Sequence, residues 1–259
     1  MTRPLLIAGN WKMNGGPRES AELAGGIRER LGDLPDSVQV LICPPFVSIP
    51  AASVALDGSE TVWLGAQDVH YEDEGAYTGE VSTSMLRELG CTHVIVGHSE
   101  RREFFGESDT TVNYKLRKAL GAELTPVVCV GESLQQRKKG THQRMVGKQV
   151  EAAFTEVSID DAPGVIVAYE PLWAIGTGET ATPQQAQEMH DMIRSAITDL
   201  YDLETARAVQ ILYGGSMKPR NARELLEQPD VDGGLVGGAS LEAESFAAIV
   251  EIAEQISSD

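Results

Sequence analysis

The stretch Val165-Ile166-Val167-Ala168-Tyr169-Glu170, followed at once by Pro171-Leu172-Trp173-Ala174-Ile175-Gly176-Thr177-Gly178, decides how the chain is read. Its apolar, β-branched start fits a strand buried on both faces, as the strands of parallel sheets are. The run delivers one carboxylate to its C-terminal end. The segment after Glu170 opens on a rigid proline and ends on glycines, the composition of a loop that swings over a ligand and excludes water. A positioned base beneath a lid is one reading. A strand-end glutamate capping the next helix is the other, and the segment alone fits both.

Similar runs recur on either side. Strand-like segments span Leu5–Asn10, Val38–Cys43, Thr61–Gln67, Thr92–Gly97, Thr125–Val130, Val165–Glu170, Val209–Tyr213 and Gly233–Val236. Between them, apolar residues spaced by three and four predict helices over Glu19–Leu31, Ser84–Leu89, Val112–Leu120, His142–Val157, Pro183–Leu200, Ala222–Leu226 and Glu242–Ile256. Eight strands alternating with helices, in 259 residues, predict a closed (β/α)₈ barrel. No linker or composition shift marks a second domain, so residues 1–259 are expected to form one barrel. A doubly wound open sheet is the competitor, but the first strand-to-helix turn lacks Gly-x-Gly-x-x-Gly.

Composition narrows the function classes. Apolar residues make up 42% and charged residues 23%, close to globular averages. No apolar run approaches the roughly 20 residues that span a bilayer, and Met1-Thr2-Arg3-Pro4-Leu5 contains no signal-peptide core, so a cytoplasmic protein is expected. With 21 Lys and Arg against 39 Asp and Glu, the net charge of −18 argues against nucleic acid or an anionic membrane as partner. Any anionic ligand must then be held by backbone amides and a few fixed cations. Cys43, Cys91 and Cys129 are odd in number and far apart, and the five histidines lack metal-binding spacing, so neither a disulfide framework nor a metal site is expected.

In a barrel of this kind the chemistry lies at the C-terminal ends of the strands. Polar and glycine residues gather there: Asn10 and Lys12 after the first strand, Gln67-Asp68 after the third, His98-Ser99-Glu100 after the fourth, Glu170 after the sixth. Gly214-Gly215-Ser216 and Gly237-Gly238-Ala239-Ser240 come after the last two. Paired glycine turns at consecutive strand ends let backbone N–H groups approach an anion closely, which favours a phosphate cradle over ordinary turns. Lys12 is either a surface lysine or a cation offsetting phosphate and oxyanion charge, with Asn10 placed to hold its ammonium. His98 begins a helix-like turn, where the positive helix end disfavours imidazolium and leaves a neutral hydrogen-bond donor. A carboxylate base, a neutral imidazole, an ammonium and a phosphate cradle describe proton abstraction beside the carbonyl of a small phosphorylated substrate. No metal or organic cofactor is required.

Seven blocks carry a closer resemblance: Asn10-Trp11-Lys12-Met13-Asn14, Tyr77-Thr78-Gly79-Glu80, Val96-Gly97-His98-Ser99-Glu100-Arg101-Arg102, Cys129-Val130-Gly131-Glu132, Tyr169-Glu170 through Gly178, Tyr213-Gly214-Gly215-Ser216, and Leu235 through Leu241. In content and order the chain resembles the triosephosphate isomerase family from near residue 8 to near residue 250. The resemblance implies that Glu170 shuttles a proton between C1 and C2 of dihydroxyacetone phosphate, giving glyceraldehyde 3-phosphate through an enediol, in glycolysis and gluconeogenesis. It implies His98 as the neutral electrophile, a well-established case in this family rather than a derivation from the sequence. Lys12 would bind substrate beside Asn10, and the phosphate would rest on Gly176, Ser216, Gly237 and Gly238. Glu100 would stand near Lys12 without touching substrate, and Cys129 would pack beneath the site.

The resemblance further implies a homodimer in which a loop, roughly Asp68–Glu80, inserts beside the partner's site and brings Thr78 toward its Asn10 and Lys12. A triose-phosphate-binding protein without turnover is the alternative of another class, and the retained Lys12, His98 and Glu170 argue against it. Four positions depart from the family's expected residues: Leu172 for Val in the lid's first hinge, Glu179 for Lys, Met217 for Val, and Asp68 for Asn at the base of the interface loop.

Overall fold

The computed structural model describes residues 3–175 and 180–258. Eight parallel strands form a closed barrel in chain order: β1 (Leu5–Asn10), β2 (Val38–Cys43), β3 (Val62–Ala66), β4 (His93–Val96), β5 (Thr125–Glu132), β6 (Ile166–Pro171), β7 (Gln210–Tyr213) and β8 (Gly233–Val236). The helices outside it are α1 (Pro17–Leu31), α2 (Ile49–Ala55), α3 (Thr83–Glu88), α4 (Ser99–Phe104), α5 (Asp109–Gly121), α6 (Leu134–Lys138), α7 (His142–Ala153), α8 (Pro183–Leu200), α9 (Leu203–Ala208), α10 (Pro219–Leu226) and α11 (Ala243–Ser258). Among the described residues no helix is long and apolar enough to cross a membrane.

The strands read as continuous apolar runs because both of their faces are buried. Leu6, Ala8, Leu41, Ile95, Cys129, Ala168 and Leu212 fill the barrel, while their neighbours Ile7, Val40, Val94, Val128, Val167 and Ile211 pack outward against the helices. That alternation is the period of two of a β-strand inserted between two apolar layers. Closure is made by β1 on β8, with Leu6 opposite Gly233. A side chain at Gly233 would start 1.9 Å from the Leu6 carbonyl oxygen, and its φ is +138°, so glycine is the residue that lets the ring close there.

Strand positions match the sequence within one residue at either end except at β5, which ends two residues later. That strand runs on to Glu132 because Gly131 and Glu132 pair with Glu170 and Pro171 of β6. The helix expected to reach Val157 stops at Ala153, since Glu156 turns into the left-handed region at φ +58°. Four short helices escaped the periodicity. Of these, α2 buries only Ile49 and Ala52, and α4 buries none of its residues, so neither carries a readable apolar stripe.

Candidate active site

At the end of β1 the chain makes an uncommon turn. Lys12 has φ +53°, costly for a residue with a side chain, and polar contacts hold it on both sides. Its N–H donates to Asn10 Oδ1 at 3.0 Å, and its carbonyl accepts from Gln67 Nε2 at 2.8 Å. Gln67 also donates to the Cys43 carbonyl at 2.9 Å, tying together the ends of the first three strands. The lysine side chain then passes Gly237, where a Cβ would lie 3.5 Å from Lys12 Cε, and its ammonium meets Glu100 Oε1 at 2.5 Å. One expectation is corrected here. Asn10 fixes the Lys12 backbone and not the ammonium, because its short side chain closes a turn onto the residue two ahead. Glu100, expected near Lys12, pairs with its ammonium.

His98 caps α4. Gly97 just before it has φ +67°, and a Cβ there would strike Val112 at 2.8 Å, so the turn that aims His98 needs glycine. Nδ1 of His98 accepts the Glu100 N–H at 3.2 Å. A nitrogen that accepts carries no proton, so the ring is neutral and Nε2 carries the hydrogen. Nε2 lies 3.1 Å from Glu170 Oε1. His98 is thus the N-cap of the helix, with Nε2 turned toward Glu170.

Glu170 is buried in β6 with its carboxylate parked on the residue after His98. The Ser99 N–H donates to Oε2 and the Ser99 hydroxyl to Oε1, each at 2.9 Å. Beneath it lies Cys129, wholly buried, its thiol pushed well above the usual range by burial first and by the Glu170 charge second. A thiol so held is packing and not a nucleophile. Ser99 and Gln67 stood at the expected strand ends, but nothing in the sequence assigned them a task.

One cavity of about 730 Å³ opens onto Asn10, Lys12, His98, Glu100 and Glu170, and Gly214-Gly215-Ser216 with Gly237 and Gly238 line it as well. Both glycine turns therefore face the same space as the acid, the imidazole and the ammonium. The Gly214 N–H donates to the Tyr169 carbonyl at 2.7 Å, and Asn221 Nδ2 donates to the Ser216 carbonyl at 3.0 Å, which fixes the turn. Met217, one of the unusual residues, is buried over Gly234, filling space that a Cβ there would contest at 2.7 Å from its sulfur. Ile175 also lines the cavity, whereas Gly176 and Glu179 lie outside the described residues. Thr78 is exposed in the 68–80 segment and does not line the chain's own cavity.

A second group that the sequence left unassigned anchors the start of the lid segment. Glu132 is fully buried at the end of β5, and its Oε1 accepts from Trp173 Nε1 at 2.9 Å, Tyr169 Oη at 3.0 Å and Arg137 at 3.2 Å. Arg137 also lies over the Trp173 ring, 5.2 Å from its centroid. The tryptophan just beyond the base is thereby tied to the neighbouring strand.

A parallel barrel carrying an acid and an imidazole donor at the C-terminal rim of its strands is an enzyme of the (β/α)₈ class. Comparison with known proteins narrows the class. The sequence model of the family described as Triosephosphate isomerase matches residues 5–253. Triosephosphate isomerase of Chloroflexus aurantiacus is 53% identical, covering 95% of this chain and 97% of the relative. That of Moorella thermoacetica is 52% identical over 96% and 98%, and that of Chlorobium phaeovibrioides 49% over 97% and 99%. The chain belongs to the triosephosphate isomerase family and is an isomerase.

Proposed function

We propose that this chain interconverts dihydroxyacetone phosphate and D-glyceraldehyde 3-phosphate, with Glu170, His98 and Lys12 as its catalytic groups. The observation that carries this is the opening of all three onto one cavity that the two glycine turns also line. Ser216, Gly237 and Gly238 seat the phosphate, with Gly176 as a further expected contact. Glu170 exchanges its hydrogen bonds to Ser99 for the C1 proton of the ketose. As the electron pair moves toward the carbonyl, His98 Nε2–H donates to the oxygen gaining charge and the Lys12 ammonium offsets that charge. Return of the proton to C2 gives the aldose through an enediol(ate). Proton bookkeeping closes within Glu170 and His98, so no cofactor is invoked.

The same proposal covers assembly and setting. Met13, Phe104 and Phe105 are 94%, 69% and 69% exposed. Met13 and Phe105 line a second cavity of about 260 Å³ that also opens onto Lys12 and His98. A homodimer in which the partner's 68–80 loop, with Thr78, fills this cavity accounts for apolar side chains otherwise left in water. Residues 1–259 act as one barrel unit, in the cytoplasm, serving glycolysis and gluconeogenesis.

The test is Glu170→Gln. Turnover of dihydroxyacetone phosphate, coupled to nicotinamide absorbance, should fall on the order of 10²–10⁴-fold or more in the variant. A wild-type protein no faster than the variant would reject the proposal. Thermal stabilisation by substrate without turnover would favour the binding protein instead.

A further inference from the structure

Asp68 departs from the residue expected at the base of the interface loop, and nothing in the mechanism above uses it. It is buried, yet each oxygen meets a cation: Oδ1 is 2.6 Å from Lys115 Nζ and Oδ2 is 2.9 Å from an Arg101 terminal nitrogen. Glu107 closes the ring, 2.6 Å from Arg101 Nε and also paired with Lys115. Two carboxylates and two cations balance. With a neutral side chain at position 68 the buried group would carry one uncompensated positive charge.

The quartet matters because of what Arg101 belongs to. Helix α4 buries none of its six residues, so packing does not hold it against the barrel. Yet the three residues from its N-cap onward are His98, Ser99 on the Glu170 carboxylate, and Glu100 on the Lys12 ammonium. Two polar tethers are available. Arg102 donates to the carbonyls of Gly97 at 2.7 Å and Cys129 at 3.1 Å, and Arg101 reaches Asp68 and Glu107. The Arg101 N–H also donates to the His98 carbonyl at 2.8 Å, so its placement passes directly to the catalytic turn. On the third-strand side, Asp68 adjoins Gln67, whose amide holds the Lys12 carbonyl.

Given the function proposed above, we infer that Asp68 is a positioning residue whose negative charge, acting through Arg101, holds His98, Ser99 and Glu100 in their productive arrangement, so that protonating Asp68 slows turnover. The charged groups around it are Lys115 on α5, Glu107 before α5 and Arg101 on α4. Glu80 acts on Arg101, and Lys12, Glu100 and His98 lie across the second cavity. Burial first, and Glu107 in part, push the Asp68 carboxyl up to about 6 against the pull of Lys115 and Arg101. Asp68 therefore loses its charge just below neutral pH.

Asp68→Asn keeps the shape and removes the charge. The measurement is the ratio of variant to wild-type kcat from pH 8 to pH 5, in which ionisation of the substrate phosphate cancels. The ratio should be about one tenth at pH 8, for a shift of the turn well under 1 Å. It should rise to about one fifth at pH 6 and about one half at pH 5, where the wild-type carboxyl is about half and then about nine-tenths protonated. KM should stay within about twofold, because Asp68 pairs with Lys115 and Arg101 and with none of Ser216, Gly237 and Gly238. A ratio that is flat with pH, or equal to one at pH 8, overturns the inference. If the variant does not fold, Lys115→Met serves: losing one cation should move the acid limb of kcat upward by about one pH unit, and an unmoved limb refutes the inference. Wild-type protein without isomerase activity would sink the functional proposal itself, an outcome distinct from either.

Discussion

Gly215→Ala puts the geometry of the phosphate cradle to its most direct test. A Cβ at Gly215 would lie 2.3 Å from Tyr213 Oη and 2.4 Å from Cζ of the same ring. Carbon contacts settle at about 3.5–4.0 Å, so the clash is about 1 Å deep. Tyr213 is wholly buried, and the close ring carbon means that turning the hydroxyl does not relieve it. The Gly214-Gly215-Ser216 turn must therefore retreat by about 1 Å, carrying Ser216 with it. Misplacement on that scale costs on the order of 10²-fold in kcat/KM, about 2.7 kcal/mol of transition-state binding. Overpacking adds about 1–3 kcal/mol of destabilisation, a fall in Tm of several degrees. Backbone strain is not the cause, since Gly215 is not among the positive-φ glycines. The coupled assay gives kcat/KM, and competition by inorganic phosphate reports the cradle separately, with its inhibition constant rising in parallel. A variant within threefold of wild type in kcat/KM, with unchanged phosphate inhibition, would refute the assignment of this turn to the phosphate. Adding Tyr213→Phe should not rescue it, because Cζ remains.

Acid should destabilise the fold through two buried histidines. Burial lowers both His93 and His190 to about 4, so between about 6.5 and 4 the unfolded chain binds more protons and stability falls with pH. Each loses about 2 kcal/mol between pH 6.5 and pH 5, while Asp68, raised to about 6, returns about 1.4 kcal/mol over the same interval. Urea denaturation should show a net loss of about 2–3 kcal/mol at pH 5 relative to pH 7, falling to roughly 0.6 kcal/mol in His93→Gln, and equal wild-type stability at the two pH values would contradict it. Assembly is checked by sedimentation equilibrium: the expected species has twice the 27.9 kDa chain mass, and Thr78→Arg should shift it to monomer with loss of turnover. A wild-type protein that sediments as a monomer at micromolar concentration removes the dimer.

The barrel, and the rim position of three site residues, were legible in the chain because both depend on local order. Eight apolar runs separated by helical spacing set the strand count, and a barrel places the residues after each strand at one rim, so Glu170, His98 and Lys12 could be placed there, although position alone left Lys12 as either a surface lysine or a cation of the site. Four short helices left no periodic trace. Helix α4 buries nothing, so it leaves no periodic trace, although it carries His98, Ser99 and Glu100. Nor did residue pattern give partners: Ser99 meets Glu170 across 71 residues, and Lys12 meets Glu100 across 88, a neighbourhood that only the resemblance implied. Hydrogen bonds are decided over tenths of an ångström, by rotamer and backbone direction, and residue type leaves those free. The sequence by itself thus determined which groups share the rim. Closure of the barrel decided that Asn10 holds a backbone and not an ammonium, that Glu132 gathers three donors, and that Asp68 completes a buried ring of charge.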